Sequence, residues 1–450
     1  MKTTVSFTSY ILSAGHGKRM QSDIAKPLHE VGGKAMLGWV IETAYAAGSA
    51  HLSVVTSPKH DQIEAYLAKN YRDVKSVKQP EALGTGHGAQ TAYEAVGCHE
   101  LPVLVLFGDT PLLTPQSCQH MAEAIQAGSD VCVLGFETDE PNGYGRLKTD
   151  EDGRLIAIIE DADASEAEKQ IRLVNAGVMA FSADVAKKLL GKLSNDNAQG
   201  EYYLTDLVAL AVNDGRDVTF ALADQSEVMG VNSRSDLAKV EENLQNRLRQ
   251  SAMRMGATLR APETVFLSSD TIIEKDVVIE PHVMIAGGVE IKQGALIRAF
   301  SHLEGVIVGQ KAIIGPYARL RPGTIIGKDV KIGNFVETKK AQFEDGAKAN
   351  HLSYVGDAMI GAKANIGAGT ITCNYDGYDK FQTTIGKGAF IGSNTALVAP
   401  VTIGDGAIIG AGSTITKDVA ENDLSLTRAP QKTIADGGQT FRSRKGKGKG

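Results

Sequence analysis

The strongest constraint on the fold is an apolar residue that recurs every six positions through the second half of this 450-residue chain. One run spans residues 273–303, and after a slip of one residue another spans 308–332. The same period returns over residues 360–372 and 385–415. One apolar residue in six can form a continuous core only if the chain coils, so that each hexad contributes a short strand and a corner. The repeat predicts a parallel β-helix, because an antiparallel sandwich would need longer alternating strands and hairpin turns.

Two segments interrupt this period, residues 338–359 and residues 373–384. We expect both to be loops that leave the coil. Loops on a rigid scaffold often carry binding and catalytic residues. The two interruptions are therefore the first places to look for a functional site in this half.

The first half has a different pattern, in which short β-branched runs alternate with helical periodicity. The predicted strands cover residues 9–12, 52–56, 103–107, 131–136, 178–181 and 218–222, and the predicted helices include 35–47, 117–127 and 202–212. This alternation predicts a mostly parallel α/β sheet. Ligands bind such sheets at the carboxyl ends of the strands.

A charged helix is expected between the two halves. Leu237, Val240, Leu244 and Leu248 recur at helical spacing, and Gly256 can end the helix. A chain of this length exceeds the size of one domain. The expected segments are an α/β domain over residues 1–232, the helix over 233–255, the β-helix over 256–430 and a flexible basic tail over 431–450.

Composition excludes several classes of partner. A net charge of -6 gives no reason to expect nucleic acid. The apolar stretches fall far short of the ~20 residues that cross a bilayer, so we expect no membrane insertion. Polar residues interrupt the N-terminal apolar segment, which argues against a signal peptide and for the cytoplasm. The four cysteines lack C-x-x-C spacing, so neither a disulfide framework nor a structural zinc site is expected.

A glycine-containing loop over residues 12–20 directly follows the first predicted strand. Its backbone amides can approach phosphate oxygens, and Lys18 or Arg19 adds positive charge. A G-x-G motif alone is equally typical of an ordinary strand-to-helix turn. Here Lys26 follows at close range, and Asp109 ends another apolar strand, where it can either hold Mg²⁺ against a triphosphate or cap a helix. Together these residues indicate a candidate nucleotide site.

These motifs resemble the sugar-nucleotide pyrophosphorylases. With the hexapeptide half included, the chain is similar to the bacterial bifunctional N-acetylglucosamine-1-phosphate uridylyltransferases / glucosamine-1-phosphate acetyltransferases, from about residue 9 to residue 430. The motifs in the first half are the loop at 12–20, Gln79 with Leu83-Gly84-Thr85-Gly86-His87, Phe107-Gly108-Asp109, Gly143-Tyr144-Gly145-Arg146, Glu160, Asn175-Ala176-Gly177, Gln199-Gly200-Glu201-Tyr202-Tyr203 and Gly230-Val231-Asn232. Ser13 and Lys18 depart from the alanine and threonine of the family, which bears on phosphate affinity rather than on the reaction.

The resemblance implies uridylyl transfer from UTP in the first half. By this resemblance the nucleotide is held by Leu12, Ser13, Ala14 and Gly15, its uracil is read by Gln79, Gly84 and Thr85, and the site is lined by Phe107 and Gly108. The phosphates are met by Arg19 and Lys26, and the sugar is contacted by Gly145, Glu160 and Asn175. The resemblance also implies that Asp109 and Asn232 bind Mg²⁺. Attack of a sugar phosphate on the α-phosphorus needs charge neutralisation and in-line positioning more than a protein nucleophile. No catalytic base is expected there.

The histidines distinguish the functions open to a hexapeptide β-helix, which can be a spacer, an acyltransferase or a zinc carbonic anhydrase. His282, His302 and His351 are spread over nearly four coils, so they cannot converge on one metal. The carbonic anhydrase interpretation fails. His351 falls in the first interruption, where an imidazole can take a proton from an attacking amine or can simply be solvated.

The resemblance makes His351 the general base of acetyl transfer, because the family's N-I-G-A-G-T-I-T-C-N-Y-D-G run is intact over residues 365–377. Asn350 stands where the family has glycine. The implied contacts are Arg321 and Lys339 with the sugar phosphate, Tyr354, Asn365, Asn374 and Tyr375 with the sugar and the acyl centre, and Ala368, Ser393, Ala411 and Arg428 with coenzyme A. From the residues alone, Arg321 and Lys339 could equally be surface charge.

The resemblance further implies a left-handed β-helix, a homotrimer with shared coenzyme A sites, and the cofactor Mg²⁺ beside the co-substrates acetyl-CoA and UTP. Acetyl transfer to glucosamine-1-phosphate would come first, and uridylyl transfer would then give UDP-N-acetylglucosamine for cell-envelope synthesis. The alternative is a monofunctional sugar-1-phosphate nucleotidyltransferase with a structural or regulatory β-helix. A pure β-helix scaffold does not explain Asp109 and Asn232 in the first half.

Overall fold

The computed structural model describes residues 5–15, 17–58, 61–96, 100–197 and 199–446. His16 and Cys98 lie outside the described residues, as do the side chain of Lys18 and the last four residues of the basic tail. The chain divides into two compact units, Met1–Arg247 and Leu248–Gly450, which we call unit 1 and unit 2.

Unit 1 is built on a nine-stranded sheet with helices interspersed along the chain. In chain order its strands are β1 Phe7–Leu12, β2 Glu30–Val31, β3 Lys34–Ala35, β4 Ser49–Thr56, β5 Lys75–Lys78, β6 Val103–Phe107, β7 Val131–Glu137, β8 Arg146–Thr149, β9 Leu155–Ile159, β10 Leu173–Phe181 and β11 Val218–Leu222. The main path is β11-β7-β10-β6-β1-β4-β5, and β2 and β3 form a separate hairpin. All neighbours on the main path are parallel except β10, which runs antiparallel to β6 and β7. The prediction of a mostly parallel sheet is confirmed.

The helices cover both faces of this sheet, as the alternating sequence pattern requires. They are α1 Met36–Ala46, α2 Asp61–Asn70, α3 Thr85–Val96, α4 Pro115–Gln126, α5 Ala183–Leu189 and α6 Asp206–Asn213. The next helix, α7 Arg234–Arg254, begins in unit 1 and continues past its last residue, Arg247. Within β1, Ile11 joins the hydrophobic core on one face and Tyr10 joins the core on the other. Because β1 is covered on both faces, its buried residues follow one another without alternation and include the polar Thr8 and Ser9.

Helix α6 begins later than the predicted residue 202. The backbone of Tyr202 is bonded elsewhere, because its N–H donates to the Leu83 carbonyl at 2.8 Å and its carbonyl accepts from Gly86 at 2.8 Å. These two bonds join the segment before α6 to the segment that opens α3. The predicted nucleotide-binding motif around Gly84 is therefore held by backbone hydrogen bonds to Tyr202, which precedes α6 instead of belonging to it.

Unit 2 consists of short parallel strands that repeat along a coil. In chain order they are β12 Thr258–Leu259, β13 Phe266–Leu267, β14 Ile272–Ile273, β15 Val278–Ile279, β16 Met284–Ile285, β17 Glu290–Ile291, β18 Leu296–Ile297, β19 His302–Leu303, β20 Val306–Val308, β21 Ile313–Ile314, β22 Arg319–Leu320, β23 Thr324–Ile326, β24 Lys331–Asn334, β25 Glu337–Phe343, β26 Lys348–His351, β27 Tyr354–Ile360, β28 Asn365–Ile366, β29 Ile371–Cys373, β30 Thr383–Ile385, β31 Phe390–Ile391, β32 Ala396–Val398, β33 Val401–Ile403, β34 Ile408–Ile409, β35 Thr414–Ile415 and β36 Leu424–Ser425. From β15 to β24, each strand pairs in parallel with the third strand before it. Strands β25 and β27 each extend over two ladders, so the interval is two between β24 and β28, and the coil has three ladders.

We call the ladders face 1, which contains β24, β26 and β28, face 2, which contains β22 and β29, and face 3, which contains β23 and β30. The residues of the hexad repeat line the interior, and Ile291, Ile314 and Ile409 are completely buried. They belong to one core that runs the length of the coil. The prediction of a parallel β-helix from the six-residue period is confirmed.

The prediction that residues 338–359 leave the coil is wrong. This segment contributes β25, β26 and β27, and both β25 and β27 extend across the corner between face 2 and face 3. The interior positions are occupied here by residues that interrupt the aliphatic pattern, among them Thr338 and Ala349, both fully buried. Thr338 is tolerated because its hydroxyl shares a 3.0 Å hydrogen bond with the hydroxyl of Thr324 on the preceding coil.

The second interruption is a loop, as predicted, between the end of β29 and the start of β30. Ile360 pairs with Ile385, 25 positions later, whereas Ile385 pairs with Ile403, 18 positions later. Tyr378 at the tip of the loop is 92% exposed. The basic tail, which was expected to be flexible, contains helix α8 Gly437–Gly446.

Candidate active sites

A cavity of about 250 Å³ opens at the carboxyl ends of the central strands of unit 1. Ten of the residues predicted to bind nucleotide line it: Leu12, Ser13, Ala14, Gly15, Lys26, Gln79, Gly84, Thr85, Phe107 and Asp109. Pro27, Ala82, Gly88 and Glu201 also line it and were not predicted. The loop that follows β1 and the residues after β6 meet because β1 and β6 are neighbours in the sheet.

One end of the cavity is organised by the buried Gln79. Its amide nitrogen donates to the Gly84 carbonyl at 3.2 Å and lies 3.0 Å from Nδ1 of His87. The bond to Gly84 fixes the orientation of the amide, so its carbonyl oxygen remains as an acceptor. Gly84 has φ +109, and a side chain there would meet the Tyr202 backbone at 2.6 Å, so only glycine fits this turn.

The other end contains a polar cluster formed by Lys26, Asp109 and Asn232. The Lys26 ammonium forms a 2.5 Å ion pair with Asp109 and donates to Oδ1 of Asn232 at 2.8 Å. Asn232 is held in place because Asp236 Oδ2 accepts from the backbone N–H groups of Asn232 and Ser233 at 3.0 and 2.9 Å. Two oxygen ligands from distant parts of the chain therefore face the same cation.

Gly108 lies between β6 and this cluster and packs directly on Ser13. A side chain at Gly108 would place its Cβ 2.2 Å from Ser13 Oγ. Ser13 Oγ is buried and has no hydrogen-bond partner among the residues that the structure describes. Arg19 lies in the short helical turn Lys18–Met20 with an exposed side chain, and is not among the residues that line the cavity.

The three residues predicted to contact the sugar lie together beside β8. The Asn175 N–H donates to the Gly145 carbonyl at 2.7 Å, and a Cβ on Gly145 would lie 3.5 Å from the Glu160 carboxylate. Thr205 donates to Glu160 at 2.9 Å. A neighbouring ion pair was not predicted from the sequence: Arg146, which is fully buried and follows Gly145, lies 2.8 Å from the carboxylate of Asp161.

In unit 2, His351 ends β26 on face 1, where it is exposed to solvent. Its Nδ1 lies 2.9 Å from Oδ1 of Asn334, its neighbour on the preceding coil. An amide oxygen can only accept, so Nδ1 is the donor in this contact, and in the neutral ring the lone pair is then on Nε2. Both residues line a cavity of about 260 Å³ that also contains Lys331 and Arg298. Asn334 was not among the residues predicted from the sequence.

The two cations predicted to bind the sugar phosphate, Arg321 and Lys339, belong to face 2, and Lys380 of the loop after β29 lies close to Lys339. Arg321 forms a 2.9 Å ion pair with Glu337. The Lys380 ammonium can donate a hydrogen bond to Lys339 only when Lys339 is the neutral amine, which lowers the pKa of Lys339 from its ordinary value, and the positive charges of Lys380 and Arg321 lower it further. Asn374, at the start of the loop, donates to the carboxylate of Asp357.

The predicted acetyl-transfer residues are thus divided between two ladders. His351 and Asn365 belong to face 1, whereas Tyr354 begins β27 on face 2. Leu352, with φ +49, makes the corner between them. Tyr375 lies in the loop, where its hydroxyl donates to the Gly377 carbonyl at 2.6 Å.

The residues predicted to bind coenzyme A form a row along one corner of the coil. Asn394 donates to the Ala368 carbonyl at 2.7 Å and Gly412 donates to the Ser393 carbonyl at 2.8 Å, so these corners stack on successive coils. Arg428 Nη1 donates to the Ala411 carbonyl at 2.7 Å. The four predicted positions therefore lie side by side.

Comparison with known proteins agrees with the division of the chain into an α/β unit and a β-helix unit. Residues 9–164 match the MobA-like NTP transferase domain, and residues 305–340 and 382–417 match the bacterial transferase hexapeptide (six repeats). The Bifunctional protein GlmU of Azorhizobium caulinodans is 49% identical over 439 residues, and that of Zymomonas mobilis is 47% identical over 443 residues, with 98% of each chain covered in both cases. The Bifunctional protein GlmU of Xanthobacter autotrophicus is 50% identical over 440 residues, again with 98% of each chain covered.

This chain belongs to the GlmU family of bifunctional proteins. The resemblance drawn from the motifs is confirmed, as is the fold class of a nucleotidyltransferase domain followed by a left-handed parallel β-helix of hexapeptide repeats. The chain is a transferase with a nucleotidyltransferase and an acyltransferase half. Among the described residues, helices long and apolar enough to cross a bilayer are not found.

Proposed function

We propose that unit 2 acetylates glucosamine-1-phosphate from acetyl-CoA and that unit 1 then transfers a uridylyl group from UTP to the N-acetylglucosamine-1-phosphate formed, with release of pyrophosphate. The product is UDP-N-acetylglucosamine, which is consumed in cell-envelope synthesis. The observation that carries the proposal is the cavity of unit 1, lined by ten of the residues expected to bind nucleotide. We place both reactions in the cytoplasm, where UTP and acetyl-CoA are available, with no role for nucleic acid or membrane insertion.

In unit 1 the nucleotide extends from Gln79 to Lys26. The free carbonyl oxygen of Gln79 suits the N3–H of uracil, and Gly84 and Thr85 enclose the base. The loop over residues 12–15 holds the ribose and phosphates through its backbone, while Arg19 approaches from the surface. Gly145, Glu160 and Asn175 receive the acceptor sugar, whose phosphate attacks the α-phosphorus in line.

Asp109 and Asn232 suit Mg²⁺, which prefers oxygen ligands and usually keeps one or two protein ligands beside substrate phosphates. The Lys26 ammonium, in contact with both side chains, is a stand-in cation that supports a positive ion at this position. Within the described parts of the chain there is no cluster of three or more His, Cys, Asp or Glu residues able to hold a metal. That suits a site completed by the triphosphate. The ion supplies neutralisation of phosphate charge when bound.

In unit 2, His351 Nε2 takes a proton from the amine of glucosamine-1-phosphate as the nitrogen attacks the thioester carbonyl. The new N–C bond forms, the C–S bond breaks, and the proton passes to the departing thiolate of coenzyme A. Asn334 fixes the tautomer that this step needs, because it holds the proton on Nδ1.

Arg321 and Lys339 bind the phosphate of the sugar, and Tyr354, Asn365, Asn374 and Tyr375 surround the sugar and the acyl centre. The row of Ala368, Ser393, Ala411 and Arg428 receives coenzyme A. Because these groups lie on two ladders separated by the corner at Leu352, we propose that the complete site forms between neighbouring chains of a homotrimer.

A product assay with glucosamine-1-phosphate, acetyl-CoA, UTP and Mg²⁺ tests the proposal. We expect UDP-N-acetylglucosamine, with N-acetylglucosamine-1-phosphate alone when UTP is omitted. Uridylyl transfer without acetyl transfer would instead indicate a monofunctional nucleotidyltransferase.

A further inference from the structure

We propose that Lys26 occupies the divalent-cation position when nucleotide is absent and leaves it when nucleotide and metal bind together. The inference rests on the proposed function in one respect, because it takes Asp109 and Asn232 to be the metal ligands. It adds a competition between a side chain of this protein and its metal ion.

The competition follows from the geometry of the polar cluster. The Lys26 ammonium is 2.5 Å from the Asp109 carboxylate and 2.8 Å from the Asn232 amide oxygen, so it uses the same two oxygens that the metal requires. A divalent cation on these oxygens would lie within a few ångströms of the ammonium, and like charges at that distance repel strongly. Lys26 and the metal therefore cannot both remain there.

The backbone of Lys26 is fixed, and only the far part of its side chain is able to move. Pro27 is buried in the short helix Lys26–Leu28, and a Cβ on Gly17 would meet Cβ of Lys26 at 2.7 Å. The flexible four-carbon stem ends in a compact charge that can rotate about these fixed atoms. Lys26 also lines the 250 Å³ cavity, so the ammonium has space to turn into.

The triphosphate decides where Lys26 goes. Without nucleotide, the Lys26 ammonium can leave Asp109 only by exchanging its ion pair for contact with water, and this exchange opposes metal binding. With nucleotide, the ammonium exchanges Asp109 for a phosphate oxygen, which removes that opposition. Metal and nucleotide then strengthen each other's binding through one lysine, and by linkage the effect is reciprocal.

The test measures Mn²⁺ binding to the full chain without nucleotide, from the electron paramagnetic resonance signal of free Mn²⁺. Lys26→Met keeps the length of the side chain and removes the competing charge, so we expect Mn²⁺ to bind about five- to tenfold more tightly than to the wild type. Lys34→Met is the matched control, because Lys34 forms a 2.5 Å ion pair with Glu42 and lies outside the cluster. We expect its Mn²⁺ affinity to equal that of the wild type.

An unchanged or weaker Mn²⁺ affinity in Lys26→Met, or an equal gain in Lys34→Met, would overturn the proposal. The wild-type chain supplies a second measurement that does not depend on a variant. Acetylation of lysines by a soluble active ester, quantified by mass spectrometry, should increase at Lys26 when Mg²⁺ is added without nucleotide at a concentration that occupies the site, and should remain constant at Lys34. Unchanged or reduced acetylation of Lys26 would contradict the displacement.

These results are separable from the proposed function. If the wild-type chain failed to transfer a uridylyl group while Lys26→Met still bound Mn²⁺ more tightly, the reaction would be wrong and the competition would stand. If the reaction were present and the metal affinity did not change, only the competition would fail.

Discussion

The two units assemble their candidate sites by different means. In unit 1, residues as distant as Lys26, Asp109 and Asn232 meet within hydrogen-bonding distance, because neighbouring strands end at the same edge of the sheet. In unit 2, each residue is fixed to a ladder, and His351 and Tyr354 are placed on different faces although three positions separate them. A sheet edge gathers a site within one chain, whereas a coil distributes residues over several faces, which in our proposal a neighbouring chain brings together.

The largest loss of activity is expected from a change in the polar cluster of unit 1. Asp109→Asn preserves the shape of the side chain but replaces the carboxylate that holds Lys26, and in our proposal Mg²⁺, with a neutral amide. We expect uridylyl transfer to fall by more than about 10³-fold, because phosphoryl chemistry depends on charge neutralisation. Acetyl transfer by the same preparation should remain unchanged and serves as the control for folding. Loss of both activities in a folded protein would contradict two independent sites.

The reciprocal variant examines unit 2. His351→Ala removes the proposed base, and we expect acetyl transfer to fall by about 10² to 10⁴-fold with uridylyl transfer intact. Asn334→Ala leaves the imidazole but no longer fixes its tautomer, so we expect a smaller loss of about tenfold. Equal losses in the two variants would show that Asn334 does more than orient the ring. Normal acetyl transfer in His351→Ala would remove the histidine from the mechanism.

Sequence patterns predicted most of the fold but only part of either site. Aliphatic residues every six positions revealed the coil, and the apolar run at Val103–Phe107 revealed a central strand. The pattern failed where Thr338 and Ala349 took interior positions, because burial of a threonine depends on a hydroxyl partner one coil away. Asn334 was missed for a related reason. A regular coil of 18 residues would place Gly333 beside His351, but this coil has 17.

The motif resemblance located residues that periodicity could not, and the fold explains why. Gly145, Glu160 and Asn175 come together through pairing of β8 with β9 and β10, which no local spacing encodes. Arg146 lay within a quoted motif, yet its complete burial beneath those residues was not evident from the sequence. The roles of these residues stay predictions until the variants are measured.

A mixing experiment tests whether the divided site of unit 2 is completed by a second chain. His351→Ala and Arg428→Ala chains should each be poorly active in acetyl transfer. If one site takes His351 and Arg428 from different chains, random mixed trimers formed by co-refolding should regain about a quarter of wild-type activity, because one pairing in four unites two intact residues. Absence of recovery in proven mixed trimers would place both residues in the same chain's site. Sedimentation of a fully active monomer would refute the shared site.

A smaller effect should mark where unit 1 ends. The fragment 1–232 retains the strands and the proposed metal ligands, but it loses Asp236, which binds the Asn232 backbone, buried Val240 and Leu244, and the 2.7 Å hydrogen bond from Gly32 to Glu241. The fragment 1–247 retains all of these. We expect both fragments to transfer uridylyl groups, with the melting temperature of the shorter one lower by roughly 10 °C. Equal melting temperatures would show that the helix contributes nothing to unit 1.

The smallest expected effect concerns the charges gathered on face 2. The Lys380 ammonium and the charge of Arg321 lower the pKa of Lys339, so the charged form of Lys339 is lost at a lower pH than in an ordinary lysine. The affinity for glucosamine-1-phosphate should then weaken as pH rises through that lowered pKa, seen as an increase in KM with kcat less affected. Lys380→Met removes the largest cause, so the rise in KM should move to higher pH.

The matched control is Lys387→Met, which removes a lysine from the next coil, after the loop has ended. Its pH profile should match that of the wild type. A profile that shifted equally in both variants would indicate a general change in surface charge rather than an effect on Lys339. A shift confined to Lys380→Met would show that this face of the coil adjusts its affinity for phosphate through a cation placed beside another.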